Sequence, residues 1–284
     1  MDGIIIINKP SGCTSHDIVS KIRKKLNIKK VGHTGTLDPL ATGVLPILLG
    51  NATKLSKYLI NHDKEYIATI KLGVKTDTAD IEGIVLEKQE VPQISEKQII
   101  EVLDSCIGKQ KQIPPMYSAI KVKGKKLYEY ARNGENIEVE PRDIEIYNIE
   151  LIQYKDNNIK FKVACSKGTY IRSLCENIAQ KLNTIGTMLE LKRTQVGIFK
   201  IEEATELEEL LTNGINEENL ITTEKLFAKR PKVILNQNQL KSFLNGVKLK
   251  TENEDGIYRI YAETNNFIGL GEVKNRLLKR DFVV

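Results

Sequence analysis

The sequence predicts an α+β protein with a small β-rich module at its C-terminal end. Strand-like β-branched runs and amphipathic helical stretches are interspersed up to about residue 228. At Arg230-Pro231 the character changes. From Val233 onward there are only short strand-like pieces broken by Gly246, Gly256, Gly269 and Gly271. A length of 284 residues suits one large domain plus one small one, and a boundary is expected near Lys229.

Ile4 to Ile7 reads as a buried strand, closed by the turn signal Asn8-Lys9-Pro10-Ser11-Gly12. Thr14 or Ser15 then caps a helix carrying Ile18, Ile22 and Leu26 on one face, with Lys21, Arg23, Lys24 and Lys25 outside. After a Gly- and Thr-rich loop comes the apolar stretch Val44–Leu49, followed by an expected helix over Ala52–Ile60. Tyr66–Leu72 is an expected strand, with Tyr66, Ala68, Ile70 and Leu72 on one face.

Thr76–Asp80 is a polar loop. Ser95 and Gln98 form a capping box for a helix bearing Ile99, Leu103, Cys106 and Ile107, which Gly108 stops. Residues 113–134 interleave prolines, lysines and tyrosines and read equally as a mobile binding arm or a plain connector. Ile144–Tyr154 and Ile159–Ala164 flank Asp156-Asn157-Asn158, a hairpin signal. Ser166-Lys167-Gly168-Thr169 leads into a helix with Ile171, Leu174, Cys175 and Ile178. Arg172 lies in its first turn on a different face, so it need not be core. Met188–Arg193 is a further strand, and helical, acidic sequence is expected from Glu202 to Leu226.

Composition excludes several function classes. Charged residues at 28 % and apolar residues at 40 % are ordinary for a globular chain. The N-terminus lacks the basic start and cleavage site of a signal peptide, and no apolar run approaches the ~20 residues of a membrane span. The four widely spaced cysteines fit reduced thiols, so a cytoplasmic protein is expected. Cys13, Cys106, Cys165 and Cys175 are widely spaced, and His16, His33 and His62 make no ligand pattern with them, so neither a metal site nor a disulfide framework is expected. Phosphate-loop, dinucleotide and nucleophile-elbow motifs are absent from the sequence.

The excess of 43 Lys and Arg over 37 Asp and Glu is mild, but it is unevenly placed. Lys109 to Lys126 holds six lysines and no acid, which fits either a phosphate-binding stretch or a solvated surface.

One loop stands out: Gly32-His33-Thr34-Gly35-Thr36-Leu37-Asp38-Pro39-Leu40-Ala41-Thr42-Gly43. Its single carboxylate is either placed for chemistry or a turn residue that caps its own backbone. A buried carboxylate stays ionised beside a cation, and Arg pairs with it bidentately. An ionised Asp acts as nucleophile or base. A Tyr face stacks on a planar base. Asp38, Arg172, Tyr66 and the basic arm together suggest chemistry on a flipped nucleobase of RNA.

These segments occur together in one known family. The chain resembles the bacterial tRNA pseudouridine-55 synthases through Asn8-Lys9-Pro10 with Gly12 and Ser15, the Asp38 loop, Lys64-Glu65-Tyr66 and Thr76–Asp80. Pro114–Ala119 and Cys165–Leu174 complete the match, in the family's order, across most of residues 1–228. The stretch Phe267–Glu272 resembles the PUA-like module of bacterial members. One departure is Lys192, where the family commonly has a Leu-Arg-Arg type sequence.

The resemblance implies a mixed or antiparallel central sheet with flanking helices in a catalytic domain of residues 1–228. It implies an RNA-binding arm over 109–142 and a PUA-like domain over 229–284. Asp38 would be the nucleophile, Arg172 its partner, and Tyr66 the stacking residue that helps remove the C5 proton. Lys9, His33, Asp80, Tyr170 and Leu191 would support or bind the substrate, and Lys121, Lys123, Lys125 and Lys126 would grip RNA outside the site. The reaction would isomerise uridine 55 in the T-arm of tRNA without metal or cofactor, by a monomer needing no protein partner. A pseudouridine synthase with another RNA target, or an RNA-folding protein, would share much of this sequence.

Overall fold

The computed structural model describes residues 1–135 and 137–284; position 136, inside the 109–142 segment, lies outside the described residues. The sheet of the larger unit is built around β1 (Gly3–Lys9), β2 (Val31–His33), β3 (Thr42–Leu49) and β4 (Lys64–Leu72). To these it adds β5 (Gly108–Gln112), β6 (Arg142–Lys155), β7 (Asn158–Cys165), β8 (Gly186–Val196) and β9 (Thr205–Glu206). The order is β9-β1-β3-β8-β4-β7-β6-β5, with β2 and the short strand Phe199–Lys200 branching from β3 and β8. Most neighbours are antiparallel, whereas β1–β9 and β3–β8 are parallel, so the sheet is mixed.

Each strand has a local reason. Ile4 and Ile6 face one core cluster and Ile5 and Ile7 another, so β1 is buried on both sides and reads as an unbroken β-branched run. Asp156 and Asn157 take φ of 51° and 59°, and this two-residue left-handed turn joins β6 to β7. Tyr66, Ala68, Ile70 and Leu72 are buried in one cluster, as their alternation requires.

Helices α1 (Ser15–Leu26), α2 (Glu96–Asp104) and α3 (Ile171–Lys181) pack on the sheet. Thr14 caps α1 and Ser95 caps α2, both with complete capping boxes. Ile18, Val19 and Ile22 of α1 pack with Ile5, Ile7, Leu45 and Ile47. Ile99 and Leu103 of α2 and Leu174, Cys175 and Ile178 of α3 pack with β4 and β7.

Three helical expectations change: α2 ends at Asp104, short of Cys106 and Ile107, and Gly108 opens β5. The stretch 52–60 is a 3-10 helix, Gly50–Leu55, followed by a single α-turn, Ser56–Leu59. The acidic stretch from Glu202 to Leu226 breaks into short pieces. Within it Thr205–Glu206 pairs with the outer edge of β1, and Gly214 at φ 84° ends the helix Leu207–Asn213. Edge pairing and a left-handed glycine override the helical propensity there.

The C-terminal sheet has five strands in the order Lys232–Leu235, Gly256–Ala262, Phe267–Lys274, Leu277–Val283, Leu249–Lys250. Leu235, Phe243, Tyr258, Ile260, Val273 and Leu278 form its own core. Leu270 and Phe282 also pack against Ala52, Leu55 and Phe227 of the larger unit. The Tyr58 hydroxyl donates to Asp281 at 2.6 Å across that contact.

Candidate active site

The Asp38 loop is pinned from below by strand and helix together. Lys9, at the end of β1, is 0 % exposed. Its ammonium donates to the carbonyls of Pro10 (2.8 Å), Pro39 (3.2 Å) and Ala41 (2.7 Å). In the first turn of α1, Ser15 Oγ accepts from the Leu37 amide at 2.8 Å and donates to the Leu37 carbonyl at 3.1 Å. Past the loop, Gly43 sits at φ 105° directly opposite Arg193 of β8, so close that a Cβ would overlap the Arg193 backbone. Only glycine lets the two parallel strands approach there.

Arg172, the second residue of α3, reaches the carboxylate. Its Nε donates to Asp38 Oδ2 at 3.0 Å, while Asp38 keeps 33 % of its side-chain surface open. The pairing is single, not the expected fork. The other two nitrogens are used elsewhere, Nη1 on the Thr78 carbonyl (3.1 Å) and Nη2 on the Tyr117 carbonyl (2.8 Å). Arg172 is 4 % exposed; its place on a face apart from Ile171 and Leu174 did not require burial, and the structure buries it all the same. A buried guanidinium with three partners is satisfied in that position.

Asp80 lies behind it. Its Oδ2 is 3.9 Å from Arg172 Nη1, and its Oδ1 accepts from the Thr78 hydroxyl and the Glu82 amide. Tyr170, just before α3, is held through its backbone by the Gln112 side-chain amide, which accepts at 2.8 Å and donates at 3.0 Å.

These groups open onto a cavity of about 260 Å³ lined by Asp38, Tyr66, Tyr170, Arg172, Leu191 and Arg193, among others. Tyr66 pairs across the sheet with Arg193, and Ala68 with Leu191, so Tyr66, Leu191 and Arg193 share one face. Ser118 and Ala119 of the arm also line the cavity. The arm thus touches the site's edge, where it was expected only to grip RNA outside. His33 ends β2 and is absent from the lining, as are Lys9 and Asp80.

The segment 109–142 opens on the edge strand β5 and closes on the first residue of β6. Between them Lys121–Val122 and Lys125–Lys126 make a hairpin, followed by the helix Leu127–Arg132. Lys121, Lys123 and Lys125 are exposed, and Lys126 is half-buried over the Tyr128 ring.

The electrostatics follow from burial. Burial pushes the Asp38 carboxyl above the usual range; Arg172 works against it and Asp80 with it. Burial raises the Tyr66 phenol to about 12, opposed by Arg193. Lys9 is lowered by burial, and His33 by burial and then by Arg193. Arg193 was not singled out from sequence. The signal was the period-two alternation from Leu191, which puts Arg193 on the buried face while Glu190 and Lys192 face out.

Comparison with known proteins follows this geometry. The family model described as TruB family pseudouridylate synthase (N terminal domain) matches residues 23–171. The tRNA pseudouridylate synthase B C-terminal domain matches 172–237, and Pseudouridine synthase II TruB, C-terminal, matches 231–279. The tRNA pseudouridine synthase B of Clostridium kluyveri is 46 % identical over 281 residues, covering 97 % of this chain and 96 % of that one. The tRNA pseudouridine synthase B of Clostridium tetani is 47 % identical, with 96 % of each chain covered. Among solved structures, a Cbf5-Nop10-Gar1 complex aligns with a TM-score of 0.70 at 29 % identity, covering 95 % of this chain and 78 % of that one. An H/ACA RNP bound to a substrate RNA containing 2'-deoxyuridine aligns with a TM-score of 0.71 at 26 % identity, covering 99 % and 84 %. With its mixed sheet, its carboxylate-bearing loop and matches running through nearly all of its length, the chain belongs to the TruB family of pseudouridylate synthases.

Proposed function

We propose that this protein isomerises a uridine of tRNA to pseudouridine, at position 55 in the T-arm, with Asp38 as nucleophile and no cofactor. The observation that carries the reading is the Asp38 carboxylate, held by Arg172 Nε at 3.0 Å and open to a cavity walled by Tyr66 and Leu191.

A base inside a stem-loop must leave its stack to enter such a cavity. There the Tyr66 ring and the Leu191 side chain offer flat and apolar surfaces to the two faces of a pyrimidine. Asp38 attacks the flipped uridine, and the glycosidic bond breaks. The uracil turns, and C5 joins the ribose. Arg172 keeps the carboxylate aimed, and Asp80 and the Thr78 carbonyl keep Arg172 in place. Lys9 acts from beneath the loop, through backbone carbonyls. Tyr170 walls the cavity at the start of α3, and His33 stands at the end of β2, ahead of the loop.

Outside the cavity, Lys121, Lys123, Lys125 and Lys126 supply cations for the phosphate backbone. The PUA-like unit from about residue 229 adds a second RNA surface to the catalytic unit 1–228. The protein works as a monomer in the cytoplasm. None of its described helices is long and apolar enough to cross a membrane.

The test is incubation with an unmodified tRNA transcript followed by mapping of pseudouridine along it. One modification in the T-arm loop is expected. Modification of another RNA in place of this one would move the target and keep the chemistry, and no pseudouridine in any RNA would overturn the reading.

A further inference from the structure

Arg193 is 1 % exposed and among the largest fully buried side chains. Its Nε donates to the Val44 carbonyl at 2.8 Å, Nη2 to Gly35 at 3.1 Å and Nη1 to Thr36 at 3.4 Å. All three acceptors are neutral. Among the described residues no carboxylate lies at salt-bridge distance from it. A buried cation is normally paired with an anion, and this one lines the cavity instead.

The group facing it is Tyr66, its direct cross-strand partner. The other ionisable groups nearby do not supply the missing charge. Asp38 is engaged by Arg172. Cys165, pushed up to about 11 by burial, stays a thiol. Lys64, Lys9 and His33 carry no negative charge in either protonation state.

We infer that Arg193 is a positioning residue for proton transfer, its guanidinium being the counter-charge of the Tyr66 oxygen while that oxygen handles the proton that leaves C5 of the bound uracil. The inference rests on the proposed isomerisation. That reaction removes one proton from C5 and adds one to N1. When the glycosidic bond breaks, its electron pair goes to N1, which takes the Tyr66 phenolic proton. The resulting phenolate lies beside Arg193. The C5=C6 pair then bonds to the ribose carbon, and Asp38 leaves with the pair that bound it. The phenolate takes the C5 proton, the C5–H pair restores the ring double bond, and Tyr66 ends as the phenol it was. A low-dielectric wall makes the phenolate costly unless a cation is already there.

Arg193 also holds the Asp38 loop, so loss of activity alone does not test the inference. Arg193→Gln keeps donors for the carbonyls and removes the charge. It should lower kcat at least about tenfold, the effect of one unit of proton affinity, with tRNA affinity unchanged. A more acidic, ring-fluorinated tyrosine at position 66 should then restore turnover, because it forms the phenolate without help. In the otherwise unaltered enzyme the same fluorinated tyrosine should move the alkaline limb of the pH–kcat profile to lower pH. This measurement stands even if Arg193→Gln does not fold. Two results overturn the inference: no recovery in a folded, RNA-binding Arg193→Gln, or an unmoved alkaline limb. Absence of pseudouridine formation by the unaltered enzyme would instead overturn the proposed function.

Discussion

Arg172 donates one nitrogen to Asp38 and another to the carbonyl of Tyr117, so a single side chain joins the carboxylate to the base of the arm. The guanidinium is shared among the Asp38 loop, the Thr78–Asp80 turn and the arm. Each is far from the others in sequence. Arg172→Lys retains charge but offers one point donor where three directions are needed. Turnover should fall at least about a hundredfold, the scale set by misplaced catalytic groups, as measured by single-turnover assays on tRNA. Turnover within a few-fold of the unaltered enzyme would argue against a shared role.

Asp38→Asn keeps shape and loses charge. With Asp38 as the proposed nucleophile, the substitution should lower turnover by at least ~10³, with RNA binding retained. Stability should move the other way. Burial raises the Asp38 carboxyl in the folded state, so the folded protein holds that proton more tightly than the unfolded chain does. The carboxyl therefore favours folding at low pH, and that contribution is lost as pH rises through the raised value. At neutral pH the Asn variant should melt no lower than the unaltered protein, and any advantage should vanish in acid. Calorimetry across pH checks the sign.

Tyr66→Phe preserves the ring face and removes the hydroxyl. With the phenol raised to about 12, Tyr66 is protonated at neutral pH. The variant should bind tRNA well and turn over slowly. Equal kcat in the two proteins would leave stacking as the whole role of Tyr66.

Lys9→Ala should leave the carbonyls of Pro10, Pro39 and Ala41 without their donor, the last of them buried. The expected cost is about 3 kcal/mol, from lost charged hydrogen bonds and a buried void, seen in denaturant unfolding. Gly43→Ala should weaken activity by a different route, through strand separation at Arg193. A Gly43→Ala protein with normal turnover would show that the loop tolerates a displaced β3.

Replacement of Lys121, Lys123, Lys125 and Lys126 by Ala should weaken tRNA binding and flatten its salt dependence, because each phosphate contact releases counterions. The rate at saturating RNA should change much less. A salt slope equal to that of the unaltered protein would identify these lysines as solvated surface.

The sequence by itself determined the local elements. Capping boxes at Thr14 and Ser95, the turn at Asp156-Asn157 and the alternation through Tyr66–Leu72 are all written in neighbouring residues, whose sterics and hydrogen bonds act over one or two turns. It also carried Asp38, Tyr66 and Arg172 as a set, because their motifs are contiguous and specific. Tertiary structure alone decided the rest. The burial of Arg172 depends on carbonyls of Thr78 and Tyr117, some 94 and 55 residues away in the chain. The pairing of Arg193 with Tyr66, and the need for glycine at 43, exist only once β8 lies between β3 and β4. Helical propensity in the acidic stretch gave way to an edge pairing with β1 for the same reason. Long-range contacts are set by which surfaces bury together, and no local pattern encodes that choice.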